Sequence, residues 1–183
     1  AFIFIRKHQA MIIEQGTTHH LDELEVLYDG LNDYLSSTVN YPGWIKHIYP
    51  VRETAMQGID EKCLFVAIEN GTVAGSIILN HEPEKAYSQV RWLVEAEYAD
   101  ILVIRTLVVH PSFLKQEVAT RLMEFAKQYA VSHRMKSIRL DVSVDNTPAI
   151  SLYKKLGYQY IGTVDLGLPY EHLKWFQLYE LVL

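Results

Sequence analysis

The chain is nearly free of cysteine. Cys63 is the single cysteine among 183 residues, so no internal disulfide framework can form, and this usage favours a reducing compartment. Cys63 adjoins an apolar stretch, which favours a buried thiol over a nucleophile. We therefore expect a cytoplasmic protein.

Long apolar runs and excess positive charge are also missing. No run approaches the ~20 apolar residues that span a bilayer, so no membrane partner is expected. The net charge is −5 and no basic patch stands out, which makes nucleic acid a poor candidate partner. Of the eight histidines, only His19 and His20 are close in sequence. Adjacent helix positions do not share a face, so no metal site is predicted.

The length and composition indicate one globular domain. Hydrophobic residues make up 49% and charged residues 21% of the chain, which is enough for a full core. Met11 opens the first strand pattern. We expect residues 1–10 to be an N-terminal extension or an expression remnant, and residues 11–183 to be a single domain.

Hydrophobic periodicity predicts alternating strands and helices along this domain. A strand over 11–15 precedes a helix capped near Thr17 and Thr18 and a second helix opened by Pro50. Strands 64–68 and 73–79 flank Asn70-Gly71, the strongest hairpin signal. After a helical or irregular excursion over 87–97, the remaining elements are strand 101–109, helix 118–132, strand 138–143, a short helix, and strands 158–166 and 174–183. The order βααβββαβαββ predicts an α+β fold with a mixed, mostly antiparallel sheet.

The stretch from Asn146 to Tyr158 contains a complete supersecondary unit. Thr147 is a good N-cap, Pro148 suits the first helical turn, and Gly157 can take positive φ at the helix end. Apolar residues between them give a short amphipathic helix: Ile150, Leu152, Tyr153 and Leu156.

A second unit begins at the end of the central strand. Leu107-Val108-Val109-His110-Pro111 ends the strand, and a helix follows from Val118. The pattern N-x-x-A-x-x-L-Y-x-K-x-G-[FY] of the first unit resembles the closing motif of the GNAT superfamily of N-acetyltransferases. The second unit is similar to the strand ending in V-x-P and the helix that this superfamily uses for acetyl-CoA.

The resemblance implies acetyl-CoA as cosubstrate. The central strand would offer main-chain groups to the pantetheine arm, and a main-chain N–H near Val108 would stabilise the oxyanion. The helix N-terminus would bind the pyrophosphate. The cofactor-binding residues expected on this basis are Leu107, Val108, Val109, Lys115, Gln116, Glu117, Val118, Ala119, Thr120, Asn146 and Tyr153.

The loop before this helix departs from the family pattern [QR]-x-x-G-x-[GA]. Only Ala119 fits; Leu114 stands where Arg or Gln is usual, and Glu117 where Gly is usual. The alternative interpretation is an ordinary acidic first turn, in which Glu117 complements the helix dipole. Both interpretations are compatible, because N–H groups bind phosphate whatever the side chain is.

Two side chains have competing roles. Tyr153 aligns with the family's general-acid tyrosine, and its alternative is a core aromatic on an amphipathic helix. Asn146 aligns with a residue whose side chain faces the cofactor, and its alternative is a strand-ending Asn that satisfies a turn. The general base is not identified; its candidates are the carboxylates of Glu82, Glu95, Glu97 and Asp141.

The resemblance predicts acetyl transfer from acetyl-CoA to an amine of a small molecule or peptide, with a homodimer as the assembly to test. The rival function is a GNAT-fold module of weak or no catalytic activity that senses a ligand or binds a partner. Transfer of a longer acyl group is a third alternative. Trp44, Tyr41 and Tyr49 either line an acceptor pocket or pack the first two helices on the sheet.

Overall fold

A computed structural model describes residues 11–114 and 117–183. One seven-stranded sheet has the order β1-β2-β3-β4-β5-β7-β6. β4 and β5 are parallel, and the other neighbouring strands are antiparallel, which confirms the predicted α+β fold with a mostly antiparallel sheet. The strands are β1 (Ile12–Gln15), β2 (Leu64–Glu69), β3 (Thr72–Asn80), β4 (Ile101–Val109), β5 (Ser137–Ser143), β6 (Gln159–Asp165) and β7 (Trp175–Val182).

Four α-helices complete the predicted order. They are α1 (Leu21–Ser37), α2 (Arg52–Asp60), α3 (Val118–Ser132) and α4 (Thr147–Lys155). Pro50 does not open α2 as predicted, because Val51 is the extended N-cap residue and the helix begins one residue later. Within the described ranges, none of the helices combines the length and the apolar character needed to cross a membrane.

The hairpin between β2 and β3 shows how local sequence sets the register. Asn70 and Gly71 have φ values of 50° and 76°, the positive pair that a type I′ turn requires and that Asn-Gly readily adopts. Glu69 then pairs with Thr72. The predicted hairpin is therefore present at the predicted residues.

The core lies on both faces of the sheet. On one face, α3 and α4 pack through Leu122, Ala126 and Tyr153 against residues such as Leu140. On the other face, α1 and α2 cover a second apolar cluster that includes Val108. We call these the α3 face and the α1 face. Burial of β4 on both sides explains its almost continuous apolar sequence.

The segment between β3 and β4 lies on the α1 face. It contains short 3₁₀ turns at Lys85–Gln89 and Tyr98–Asp100 and is otherwise irregular. A buried ion pair of the sheet lies beneath this segment and bonds to it. Arg139 Nε and Glu180 Oε2 are 2.7 Å apart, and both side chains are at most 4% exposed. The Glu180 carboxylate also accepts the Leu93 main-chain N–H at 2.6 Å. These bonds satisfy the buried charges, as burial of an ion pair requires.

Candidate active site

An opening separates β4 from β5 over half of their length. The two strands pair only from Ile101 to Val103 on β4 and from Ser137 to Arg139 on β5. β5 continues its pairing with β7 as far as Ser143. The β4 main chain beyond Val103 therefore faces the opening with no partner strand among the described residues. A row of free N–H and C=O groups is what an extended, amide-containing ligand can pair with.

A β-bulge in β4 shapes the opening. The pairing with β3 shifts register between Ser76 and Ile78, opposite Thr106 and Leu107. Thr106 has a φ of 49°, in the left-handed region that glycine usually fills in such a bulge. A β-branched residue there is an outlier, and such strain costs roughly 1–3 kcal/mol and persists only where the surroundings impose it.

Ladder geometry decides which main-chain groups reach the opening. The His110 N–H donates to the Ala74 carbonyl of β3 at 2.8 Å, and Val108 lies two residues away, opposite Ser76. Main-chain groups alternate in direction along a strand, so the Val108 N–H points to β3. The N–H groups of Leu107 and Val109, on either side of Val108, point to the opening. The oxyanion donor expected near Val108 would therefore be one of these neighbours.

The N-terminus of α3 follows β4 through a short turn. The Arg121 N–H bonds the Glu117 carbonyl at 3.0 Å, so the N–H groups of Val118, Ala119 and Thr120 precede the first intrahelical bond and are free for an anion. Val118 is buried, and Ala119 and Thr120 are half-buried. The predicted contacts of Lys115 and Gln116 lie outside the described residues.

Glu117 differs from the expectation that it belongs to the first helical turn. It is the N-cap residue of α3, with a φ of 60° and a ψ of 20°, and its side chain makes no capping bond. This left-handed conformation is the one that glycine adopts without strain. The backbone at this position therefore has a conformation that suits the glycine of the family pattern, although the residue is a glutamate.

The start of α4 also differs from the prediction. Asn146, rather than Thr147, is the N-cap, and its Oδ1 accepts the Ala149 N–H at a long 3.4 Å. Adjacent Asn and Thr residues are both good caps, so the sequence pattern could not choose between them. This bond supports the turn-satisfying interpretation of Asn146. The side-chain amide of Asn146 has no partner within the described residues and stays available for a ligand.

Tyr153 lies on the α3 face beside the opening. Its side chain belongs to the core cluster that contains Leu140 and Val142 of β5, and it is 7% exposed. The Tyr158 ring lies 6.1 Å away, centroid to centroid. Burial, and then the charge of Asp141, raise the pKa of the Tyr153 phenol, so it is protonated throughout the neutral range. The structure thus shows the core packing of Tyr153, and its protonated phenol leaves the general-acid role as a prediction.

Asp141 occupies the opposite face of the sheet. Residues of β4 and β5 that pair across the ladder point to one face, and Asp141 is two residues beyond Arg139, the partner of Val103. The Tyr87 hydroxyl donates to Asp141 Oδ2 at 2.6 Å. Burial raises the pKa of the Asp141 carboxyl; the Tyr87 bond and Arg105 oppose this shift.

Arg105 balances the charges around this carboxylate. It points to the α1 face, because it pairs with Ile78, a residue of that face's core. Its guanidinium donates to the Glu84 carboxylate and to the Glu82 carbonyl. The group of Asp141, Glu84 and Arg105 therefore carries one net negative charge when both carboxyls are ionised.

The structure separates the four candidate bases. Three of them are exposed to solvent: Glu82, Glu95 and Glu97. Asp141 alone has a raised pKa and a position beside the opening. Among the described residues, no group of three or more His, Cys, Asp or Glu side chains could hold a metal ion.

The three loop aromatics have different environments. Trp44 packs against the core of the α1 face, and Tyr41 is 38% exposed. The Tyr49 hydroxyl reaches β4 and hydrogen-bonds Thr106. Sequence reasoning missed this contact and the bond from Tyr87 to Asp141. It also missed the role of Arg105, although a charged residue inside an apolar strand was a signal for it.

Comparisons with known proteins identify the family. The model of the acetyltransferase (GNAT) family matches residues 25–158, so the chain belongs to this family of acyltransferases. A stretch of 73 residues is 36% identical to a streptothricin acetyltransferase of Escherichia coli and covers 40% of this chain and 41% of that protein. The chain thus spans less than half the length of that relative.

Solved structures share the fold. A GNAT-family acetyltransferase from Streptococcus agalactiae superposes with a TM-score of 0.76 at 20% identity, covering 96% of this chain and 97% of the other. A putative acetyltransferase from Salmonella typhimurium, solved with its cofactor acetyl-CoA, gives a TM-score of 0.69 at 14% identity and covers 95% and 94% of the two chains.

Proposed function

We propose that residues 11–183 form one catalytic domain that transfers the acetyl group of acetyl-CoA to a primary amine. The observation that carries this proposal is the opening between β4 and β5, with the Tyr153 phenol on one face of the sheet and the Asp141 carboxylate on the other. A thioester in the opening would meet a proton donor on the α3 face and a proton acceptor on the α1 face.

The chemistry needs each of these groups. Alkylamines have a pKa near ~10 and must lose a proton before they attack. Asp141 accepts that proton, and its raised pKa makes it a better base than an exposed carboxylate. The amine nitrogen bonds the thioester carbon, and a β4 N–H stabilises the oxyanion. The sulfur takes the proton of Tyr153 as the C–S bond breaks. The nitrogen loses its second proton to solvent, which leaves a neutral amide, and solvent then reprotonates Tyr153 and deprotonates Asp141.

Acetyl-CoA should stabilise the fold. The free main-chain groups of β4 and α3 fit the pantetheine amides and the pyrophosphate respectively. At a ligand concentration 100-fold above Kd, the free energy of unfolding should rise by ~2.7 kcal/mol, which a thermal-shift assay detects. If millimolar acetyl-CoA and CoA leave the melting temperature unchanged, the rival function as a non-catalytic module is favoured.

The acceptor can be sought among cationic amines, because the site and the whole chain carry net negative charge, which steers cations towards it. Streptothricin is one probe, chosen because of the relative described above. Spermidine and a lysine-containing peptide test other cationic amines. Release of free CoA thiol, with mass detection of the acetylated product, distinguishes amine transfer from thioester hydrolysis.

Replacement of Glu117 by glycine should tighten CoA binding by about tenfold. A carboxylate ~4 Å from a phosphate charge costs about 1 kcal/mol in water-like surroundings and about 4 kcal/mol at an effective dielectric of 20. A gain of ~1.4 kcal/mol, which is one decade in Kd, lies near the low end of this range, as suits an exposed residue. Glu117→Gly should leave stability unchanged or raise it by up to about 1 kcal/mol, because relief of the left-handed strain exceeds the added chain entropy. Calorimetric titration with CoA and urea denaturation measure the two effects.

Glu117→Gln separates charge from backbone conformation. It removes the carboxylate and retains a side chain at positive φ, so it should give most of the gain in affinity and none of the gain in stability. High salt should shrink the gain in affinity. Unchanged affinity in both variants would mean that the carboxylate points away from the phosphates.

A further inference from the structure

A chain of hydrogen bonds links helix α1 to the β4 bulge. Asn32 of α1 is 1% exposed, and its Nδ2 donates to the Tyr49 main-chain carbonyl at 3.1 Å. The Tyr49 hydroxyl then bonds Thr106 Oγ1. The segment between α1 and α2 is thereby attached to the strand at the residue where the bulge occurs.

Tyr49 is well ordered for such a role. Its N–H donates to the Ile45 carbonyl at 3.0 Å, and its ring meets the Trp44 ring edge-on, with centroids 5.7 Å apart. Burial raises the pKa of its phenol, and the bond to Thr106 opposes this shift. The hydroxyl is therefore protonated at neutral pH, and the ring and main chain that carry it are fixed independently of Thr106.

Thr106 is an unexpected residue at its position. Its φ of 49° suits glycine, and a threonine there raises the energy of the backbone. The side-chain contact found for Thr106 in the described structure is the hydroxyl bond to Tyr49. A glycine would adopt the same backbone without strain but could not make this bond, so the threonine is explained by its hydroxyl.

We propose that Tyr49 is a positioning residue for acetyl transfer: through Thr106 it fixes the β4 bulge, and so the direction of the neighbouring Leu107 N–H towards the acetyl carbonyl. This inference rests on the proposed function, because it assigns the acetyl group to the opening. The bond between Tyr49 and Thr106 would also couple the segment between α1 and α2 to the Leu107 N–H that stabilises the oxyanion.

Binding of a stable acetyl-CoA analogue tests the proposal without an identified acceptor. Acetonyl-CoA retains the carbonyl but cannot transfer an acetyl group. Wild type should bind acetonyl-CoA more tightly than CoA. Tyr49→Phe, which removes one oxygen atom, should reduce this preference by up to about tenfold, the contribution of one hydrogen bond, while Kd for CoA stays within about twofold.

Matched variants distinguish positioning from packing. Tyr41→Phe removes a hydroxyl from the same loop and should leave the preference for acetonyl-CoA unchanged. Thr106→Ser keeps the hydroxyl and should retain the acetonyl-CoA preference, whereas Thr106→Val keeps the shape and should lose it. Thr106→Gly should lose the preference without a fall in melting temperature, because the strain disappears together with the bond. If Thr106 only packs, Thr106→Gly should keep the preference for acetonyl-CoA and lower the melting temperature.

The outcomes are separable. If wild type binds neither CoA nor acetonyl-CoA, the proposed function fails and this inference fails with it. If wild type prefers acetonyl-CoA and Tyr49→Phe or Thr106→Val keeps that preference, the proposed function survives and the positioning role of Tyr49 is overturned. Equal weakening of CoA and acetonyl-CoA with a lower melting temperature also overturns it, because a general loss of structure then explains the effect.

Discussion

Tyr153→Phe should reduce kcat by about 10²–10⁴ while Kd for acetyl-CoA stays near the wild-type value. The expected size is that of a lost general acid, and an effect on kcat alone indicates an interaction made in the transition state. Phenylalanine keeps the ring that packs beside β5. Steady-state kinetics with any amine identified by the acceptor screen, together with calorimetric binding of acetyl-CoA, measure both quantities.

Tyr158→Phe is the matched control. The Tyr158 ring is a neighbour of Tyr153, and its buried hydroxyl has no hydrogen-bond partner in the described structure. Removal of an unsatisfied buried hydroxyl should be neutral or stabilising and should leave kcat unchanged. An equal loss of activity in both variants, or a parallel loss of stability and activity in Tyr153→Phe, would support the packing interpretation of Tyr153.

The raised pKa of Tyr153 has a kinetic consequence. Burial is its main cause and the Asp141 charge the second, so the phenol stays protonated above its ordinary value of ~10. The pH profile of kcat should therefore show no alkaline fall due to Tyr153 below that pH. A phenol of raised pKa is a weak acid for a free thiolate. The proton must consequently move as the C–S bond breaks.

Local signals predicted the elements that position the site. The apolar run Ile101–Val109 with Pro111 after it, and the amphipathic stripe of Val118–Ser132, have the predicted bounds. Each is specified by its own residues, through burial on both faces in one case and helical spacing in the other. The turn at Asn70-Gly71 was equally predictable because the two residues demand it.

Long-range contacts were not predictable in this way. Tyr87 and Asp141 are 54 positions apart, and Tyr49 and Thr106 are 57 apart, so no local pattern relates them. Their meeting depends on the register of β3, β4 and β5 together. The positive φ of Thr106 and Glu117 was hidden for a different reason: neither residue type favours that conformation, and the surrounding structure imposes it.

The buried ion pair of Arg139 and Glu180 helps to position the Tyr87 donor on Asp141. Arg139 and Glu180 fix the segment after Tyr87 through the main chain of Leu93 and Val94, and the Trp92 indole donates to the Tyr87 carbonyl at 2.9 Å. These contacts at residues 92–94 hold the segment that carries Tyr87, and so they support its bond to Asp141. This arrangement keeps a hydrogen-bond donor on the buried Asp141 carboxylate.

Asp141→Asn should reduce kcat/KM for the amine by about 10²–10⁴, the contribution of a general base. In wild type, kcat/KM should rise with pH through the raised pKa of Asp141, because only the carboxylate accepts a proton. This acidic limb should disappear in Asp141→Asn. Tyr87→Phe removes a bond that lowers the pKa of Asp141, so the limb should move to higher pH while the maximum rate is largely kept.

As pH rises through the pKa of Asp141, the stability of the wild type should fall while its activity rises. Because the pKa of Asp141 is higher in the folded chain than in the unfolded chain, its contribution to stability is full below the unfolded value of ~3.9 and is lost as pH rises through the folded pKa. Asp141→Asn cannot ionise, so it should be at least as stable as wild type at neutral pH, and this advantage should vanish in acid. Urea denaturation near pH 4 and pH 7.5 measures this difference in stability.

Glu95→Gln and Glu97→Gln, at two exposed candidate bases, are the controls and should retain the wild-type rate and its acidic limb. Full activity in Asp141→Asn would exclude Asp141 as the base, and a large loss of stability at neutral pH would assign it a structural role.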